Sequence, residues 1–185
     1  MMGSSKGKVA EREVARLLSE WWGQLEPGAQ FVRTPCSGGW SSREVRTGFR
    51  ASGDIMTTAV RFSFTVESKR REGWSPANFV KGRRSPVWAW WRQALREAVE
   101  QNLEPMLWVR RNAGRVTGAG TKGGTAPPAW LVLVRASLVP KIGIHPDLAW
   151  FDHTLVGGGV DFGGELPVGY MARRLLALDP VRVAL

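Results

Sequence analysis

Residues 54–69 read DIMTTAVRFSFTVESK, and the order of apolar and polar side chains in this stretch decides the architecture around it. From Arg61 onward, Phe62, Phe64 and Val66 alternate with Arg61, Ser63, Thr65, Glu67 and Lys69. A period of two is the period of a strand, so residues 61–69 are expected to be extended, with one apolar and one polar face. The five residues before them, 54–58, read as a second strand joined to the first by a tight connection. Such a pair brings Asp54, at the start of one strand, towards Glu67 and Lys69, at the end of the other.

Outward from this pair, the spacing changes to helical. Towards the N-terminus, Ala10, Val14, Leu17, Leu18 and Trp21 recur at three and four, which predicts an amphipathic helix over residues 9–22 ending near Gly23. Glu11 shares a stripe with Ala15, Leu18 and Trp22, which places a carboxylate at the border of the buried face. The first eight residues, small and basic, read as a flexible arm. Residues 30–34 read as a short strand, and residues 35–53 as a Gly- and Ser-rich loop. Towards the C-terminus, residues 70–84 mix cations with breakers and read as an exposed loop. Ser85 followed by Pro86 is a helix start, a hydroxyl cap before a proline at the first helical position. The stripe Val87, Trp91, Ala94, Leu95 and Ala98 then carries a helix to about Asn102. Residues 105–111 and 130–135 read as strands separated by a long Gly-rich hairpin loop, and residues 169–178 suggest a short helix.

This order gives an α/β layer architecture, a central mixed sheet of five strands flanked by helices. A chain of 185 residues, 43% hydrophobic, suits one domain, expected over residues 1–139, with residues 140–185 as an extension packed on or beside it.

Lysine and arginine outnumber acids by 26 to 16, a formal charge of +10, and a polyanion is the partner this implies. No stretch of eighteen residues is apolar, so no membrane span is expected, and the chain reads as a cytoplasmic protein. One cysteine and two histidines exclude a cysteine-cluster or imidazole-rich metal site. Any metal must therefore be held by carboxylates, which favours Mg2+, with Mn2+ able to substitute, and nothing calls for an organic cofactor. Asp54 and Glu67 can supply two carboxylates and Ser68 a backbone carbonyl, while Lys69 places an ammonium beside the reacting phosphate.

An acid, a spacer and the tripeptide Glu67-Ser68-Lys69 resemble the catalytic motif of the PD-(D/E)XK nuclease superfamily, with Gly53 where that motif most often has proline. The run Lys6-Gly7-Lys8-Val9-Ala10-Glu11-Arg12 resembles the K-G-x-x-x-E-R opening of archaeal-type Holliday junction resolvases. Val32-Arg33-Thr34-Pro35-Cys36-Ser37-Gly38 resembles their V-R-x-x-x-S-G segment, and Arg92-Gln93-Ala94 a short piece of their second helix. The resemblance covers roughly residues 6–111. It implies a restriction-endonuclease-like core, catalytic roles for Glu11, Ser37, Asp54, Glu67 and Lys69, and metal ligation by Glu11, Asp54, Glu67 and Ser68. It also implies a homodimer that nicks opposing strands of branched DNA, an interface that exposed tryptophans near Trp88 and Trp90 could serve, and a bacteriophage source is compatible with it. Lys6, Lys8, Arg33, Arg70, Arg71, Lys81, Arg83 and Arg84 flank the acids and are the expected phosphate contacts. Two rival readings stay open: the same chemistry on another DNA target, such as a restriction, mismatch or flap substrate, and a basic DNA-binding module whose acids only stabilise the fold.

Overall fold

A helix whose apolar residues face one way must cover something, and in this protein two such helices cover opposite faces of one sheet. The computed structural model describes residues 5–35, 48–72, 85–111, 130–147 and 166–184. Ser37, Lys81, Arg83 and Arg84 lie outside the described residues, as do most of the 35–53 and 70–84 loops and the Gly-rich loop before Trp130.

Helix α1 spans Ser5–Trp22, so it begins four residues earlier than the apolar spacing suggests and takes Lys6 and Lys8 into its first turns. The sequence pattern misses this start because Ser5, Lys6, Gly7 and Lys8 carry no apolar residue to mark a face. Strand β1 (Phe31–Arg33) follows. Strands β2 (Arg50–Ser52) and β3 (Ile55–Thr57) then form a hairpin in which Ser52 faces Ile55 across the two-residue turn Gly53-Asp54. Strand β4 is Phe64–Arg71, helix α2 is Pro86–Gln101, and strands β5 (Glu104–Arg111), β6 (Leu131–Arg135) and β7 (Pro167–Met171) complete the sheet elements.

The described strands form two sheets in place of the single five-stranded one expected. One is antiparallel, in the order β1-β3-β2; the other is mixed, in the order β4-β5-β6-β7. The strands on either side of the DIMTTAVRFSFTVESK centre therefore do not pair as a hairpin: β3 pairs with β1 and β2, whereas β4 pairs in parallel with β5. Among the described residues one isolated β-bridge joins the two sheets, a parallel pairing of Gly53 with Val66. A second difference lies near the C-terminus. Residues 169–171, which the sequence places at the start of a helix, belong to the fourth strand, Pro167–Met171, and the helix that follows is limited to α4, Ala172–Leu175, after an earlier short helix α3, Val139–Ile142. Val168 and Tyr170 are buried at strand spacing, and a five-residue segment is too short for that period to stand out from the glycines around it.

Parallel pairing of β4 and β5 needs a crossover, and α2 supplies it. Its start is held as the sequence indicates, with the Ser85 hydroxyl accepting from the Val87 amide at 3.4 Å and Pro86 next in line. Asn102 ends it in the left-handed region at φ 53°. Helix α1 packs on one face of the mixed sheet through Ala10, Val14, Leu18, Trp21 and Trp22, joined by Phe62, Phe64, Val66, Trp108 and Val132. Helix α2 packs on the other face through Val87, Trp91 and Ala94 against Leu107, Val109 and Leu133. Consequently the polar face of β4 is roofed rather than solvated, and Thr65 and Glu67 are buried along with Phe64 and Val66. Trp88 is buried in the α2 layer and Trp90 packs half-buried against it, so these side chains are spent on the fold and Trp88 offers no exposed interface. No helix among the described residues is long and apolar enough to cross a membrane.

Candidate active site

Asp54, in the hairpin turn, is held by three hydrogen bonds. Its amide donates to the Val66 carbonyl at 2.8 Å, its carbonyl accepts from the Thr34 amide at 2.9 Å, and its carboxylate Oδ2 accepts from the Ser68 amide at 3.0 Å. The turn requires Gly53. Its φ of +72° is in the left-handed region, and a Cβ there would stand 2.5 Å from the Val66 carbonyl oxygen. Proline, the usual residue of the motif at this point, is locked near φ −65° and could not make this turn. The departure from the motif is thus a matter of backbone geometry, not of lost chemistry.

Glu67 projects from the other face of β4, beneath α2. Its Oε1 accepts from the Lys69 ammonium, a close ion pair, and from the Gln93 side-chain amide of α2 at 3.3 Å. Gln93 also donates to Glu97 one turn further on, at 2.9 Å. Burial pushes the Glu67 carboxyl well above the usual range, the negative charge of Asp54 pushes it further, and Lys69 only partly offsets both. Asp54 is raised for the same first reason, opposed by the Ser68 amide and Lys69, with the charges of Glu11 and Glu97 adding to the rise. Two buried acids that disfavour each other's ionisation are an unfavourable arrangement without a positive charge between them.

The donor set fits a hard cation. Asp54 uses only Oδ2 and Glu67 only Oε1 in hydrogen bonds, so Asp54 Oδ1 and Glu67 Oε2 receive none from the described residues. Ser68 adds a third oxygen. In an extended strand the amide and carbonyl of one residue leave the same edge, and the Ser68 amide points to Asp54, so its carbonyl leaves β4 on the Asp54 side, away from β5. Two carboxylate oxygens and one carbonyl are a sufficient protein contribution for Mg2+, which keeps several waters. Among the described residues no three His, Cys, Asp or Glu side chains form a ready metal cluster.

Glu11 lies at the border of the buried face of α1, 9% exposed as its helical stripe indicates, and its charge reaches Asp54. Its carboxylate is, however, paired with the Arg33 guanidinium of β1. Arg33, expected on the phosphate path, is here the partner of an acid. Lys8 is exposed on the first turns of α1; on β4, Arg70 is half-buried and Arg71 exposed just beyond Lys69. Sequence reasoning missed Gln93 and Glu97 as parts of the site. Their spacing of four on one side of the α2 core stripe was the available signal, but only the crossover shows that this side lies over Glu67.

A family model described as "Phage putative PDDEXK endonuclease" matches residues 3–119. The chain belongs to this phage PDDEXK endonuclease family. The match runs from the start of α1 past β5, so it contains every element that positions Asp54, Glu67 and Lys69. No curated protein and no solved structure matches the chain. Family membership makes this protein a metal-dependent nuclease, and the fold brings Asp54 and Glu67 together beside Lys69.

Proposed function

We propose that this PDDEXK nuclease resolves four-way DNA junctions by Mg2+-dependent phosphodiester hydrolysis, acting in the host cytoplasm as a homodimer that nicks opposing strands and leaves 5′-phosphate ends. The observation that carries the hydrolytic part is the meeting of Asp54 and Glu67 beside Lys69, each acid with one oxygen that takes no hydrogen bond from the described residues. Asp54 Oδ1, Glu67 Oε2 and the Ser68 carbonyl would hold the ion, with Mn2+ able to replace Mg2+. When bound, the cation supplies charge neutralisation at the phosphate and a water of lowered pKa. Lys69, its ammonium held by Glu67 at the rim of the buried site, orients the attacking water or stabilises charge on the phosphate. In this reading Glu11, whose charge reaches Asp54, joins the acids when Arg33 turns to a phosphate, and Ser37 belongs to the same site. Lys6, Lys8, Arg33, Arg70, Arg71, Lys81, Arg83 and Arg84 would follow the DNA backbone, giving binding that depends on shape and salt more than on sequence.

The preference for junctions is supported by the likeness of residues 6–12 and 32–38 to the resolvase motifs. A second reading, the same chemistry on another DNA target, is favoured by the family description, which names an endonuclease without a junction. Cleavage assays separate them. With Mg2+ the protein is expected to nick a synthetic four-way junction symmetrically and leave linear duplex of the same sequence largely uncut; equal cutting of both would remove the junction reading. Asp54→Asn and Glu67→Gln are each expected to abolish cleavage while leaving DNA binding intact or tighter. Unchanged cleavage by either variant would end the catalytic assignment of that acid.

A further inference from the structure

A carboxylate that is to present one chosen oxygen to a cation must be stopped from rotating, and β4 by itself does not stop Glu67. Lys69 lies two residues along the same strand and ends in a flexible four-carbon stem, so the pair it makes with Oε1 fixes charge better than angle. A second donor reaches the same oxygen from a different element. Gln93 on α2 places its Nε2 3.3 Å from Glu67 Oε1 and 2.9 Å from Glu97 Oε1, so one amide group spans the acid of the strand and an acid of the crossover helix. Gln93 is half-buried, and it sits between the buried residues Trp91 and Ala94, whose contacts with Leu107, Val109 and Leu133 fix α2 on the sheet.

We infer that Gln93 is a positioning residue for the cation site: held by Glu97, it clamps Glu67 Oε1 and thereby turns Oε2 towards Asp54. The inference rests on the proposed role of Glu67 as a ligand. A planar amide suits the task because its two N–H groups point in fixed, different directions, one towards each acid. Glu97 then acts through Gln93 as an acceptor. It also adds negative charge to the site, as its influence on both Asp54 and Glu67 shows. These two roles of Glu97 predict different outcomes for two substitutions, because glutamine keeps an acceptor oxygen without the charge and leucine keeps neither.

The test is Mn2+ binding to the full chain without DNA, followed by titration calorimetry, with thermal melting as the check on folding. Gln93→Met, close in shape but unable to donate, is expected to weaken Mn2+ binding by about tenfold, the usual scale for a group that orients a ligand, with the melting temperature little changed. Glu97→Leu is expected to weaken it similarly, and Glu97→Gln to retain most of the affinity. Unaltered affinity in Gln93→Met would overturn the inference, as would equal losses in Glu97→Gln and Glu97→Leu, which would assign Glu97 to charge alone. Should Gln93→Met fail to melt cooperatively, the Glu97 pair decides by the same criterion. Glu67→Gln distinguishes the underlying reading: if it binds Mn2+ as the unaltered chain does, Glu67 is no ligand and the site itself is wrong, whereas loss in Glu67→Gln with affinity kept in Gln93→Met removes the positioning role alone.

Discussion

Asp54 and Glu67 hold protons at a pH at which the same side chains in an unfolded chain have lost them. Burial is the first cause for both, and it raises Asp54 to about 6 and Glu67 to about 8. Between the ordinary carboxylate range near pH 4 and these values, the folded state binds more protons than the unfolded one, so stability falls as pH rises through the window. In chelator, the melting temperature is therefore expected to drop between pH 5 and pH 8.5. Asp54→Asn and Glu67→Gln should each raise stability at pH 8.5 by roughly 0.5–2 kcal/mol while having little effect at pH 4, since a neutral amide has no proton to lose. Melting curves that run parallel for variant and unaltered chains across this range would contradict the account. Most of this site is legible in the sequence: the period of two sets Glu67 and Lys69 on one face, and the helical stripe of Ala15, Leu18 and Trp22 sets Glu11 at a border. Gln93 and the capture of Glu11 by Arg33 are not, because each joins side chains from separate elements whose approach depends on tertiary packing.

At the scale of elements, helix α2 is the part whose ends follow from local chemistry. The Ser85 hydroxyl accepts from the Val87 amide, and Asn102 tolerates the left-handed turn after Gln101. Ser85→Ala is expected to cost about 1 kcal/mol, the usual loss for a capping hydroxyl, and Asn102→Ala about 1 kcal/mol, because alanine lacks the short polar side chain that lets asparagine occupy the left-handed region. Chemical denaturation of the two variants checks this, and a midpoint equal to that of the unaltered chain would rule out the cap. Both ends can be read from Ser85-Pro86 and from the end of the Trp91-Ala94-Leu95-Ala98 stripe, whereas strand partnership cannot. An alternating pattern states that residues 61–69 are extended but not which edge they take. Here β4 gives one edge to β5 and the other to the Gly53-Asp54 turn, and that second edge is what aligns the Ser68 amide with Asp54. The acids therefore meet by a different route from the hairpin that the sequence suggests.

Across the whole molecule, the two buried acids meet where two parts converge, the β2–β3 turn with Asp54 and β4 with Glu67 and Ser68, while Glu11 of α1 is paired with Arg33. The C-terminal stretch helps hold that arrangement from behind. Strand β7 completes the mixed sheet beside β6, and Trp21 of α1 donates its indole N–H to the Leu178 carbonyl at 2.8 Å. The 26 cations against 16 acids are the compositional basis of the proposed polyanionic partner, but the shape of DNA it would select depends on surfaces that no periodicity encodes. The convergence itself is open to direct inspection. Crystals of the full chain grown with Mn2+ are expected to show an anomalous difference peak within coordination distance of Asp54 Oδ1, Glu67 Oε2 and the Ser68 carbonyl. A well-ordered peak elsewhere, with these three oxygens left to water, would contradict the account.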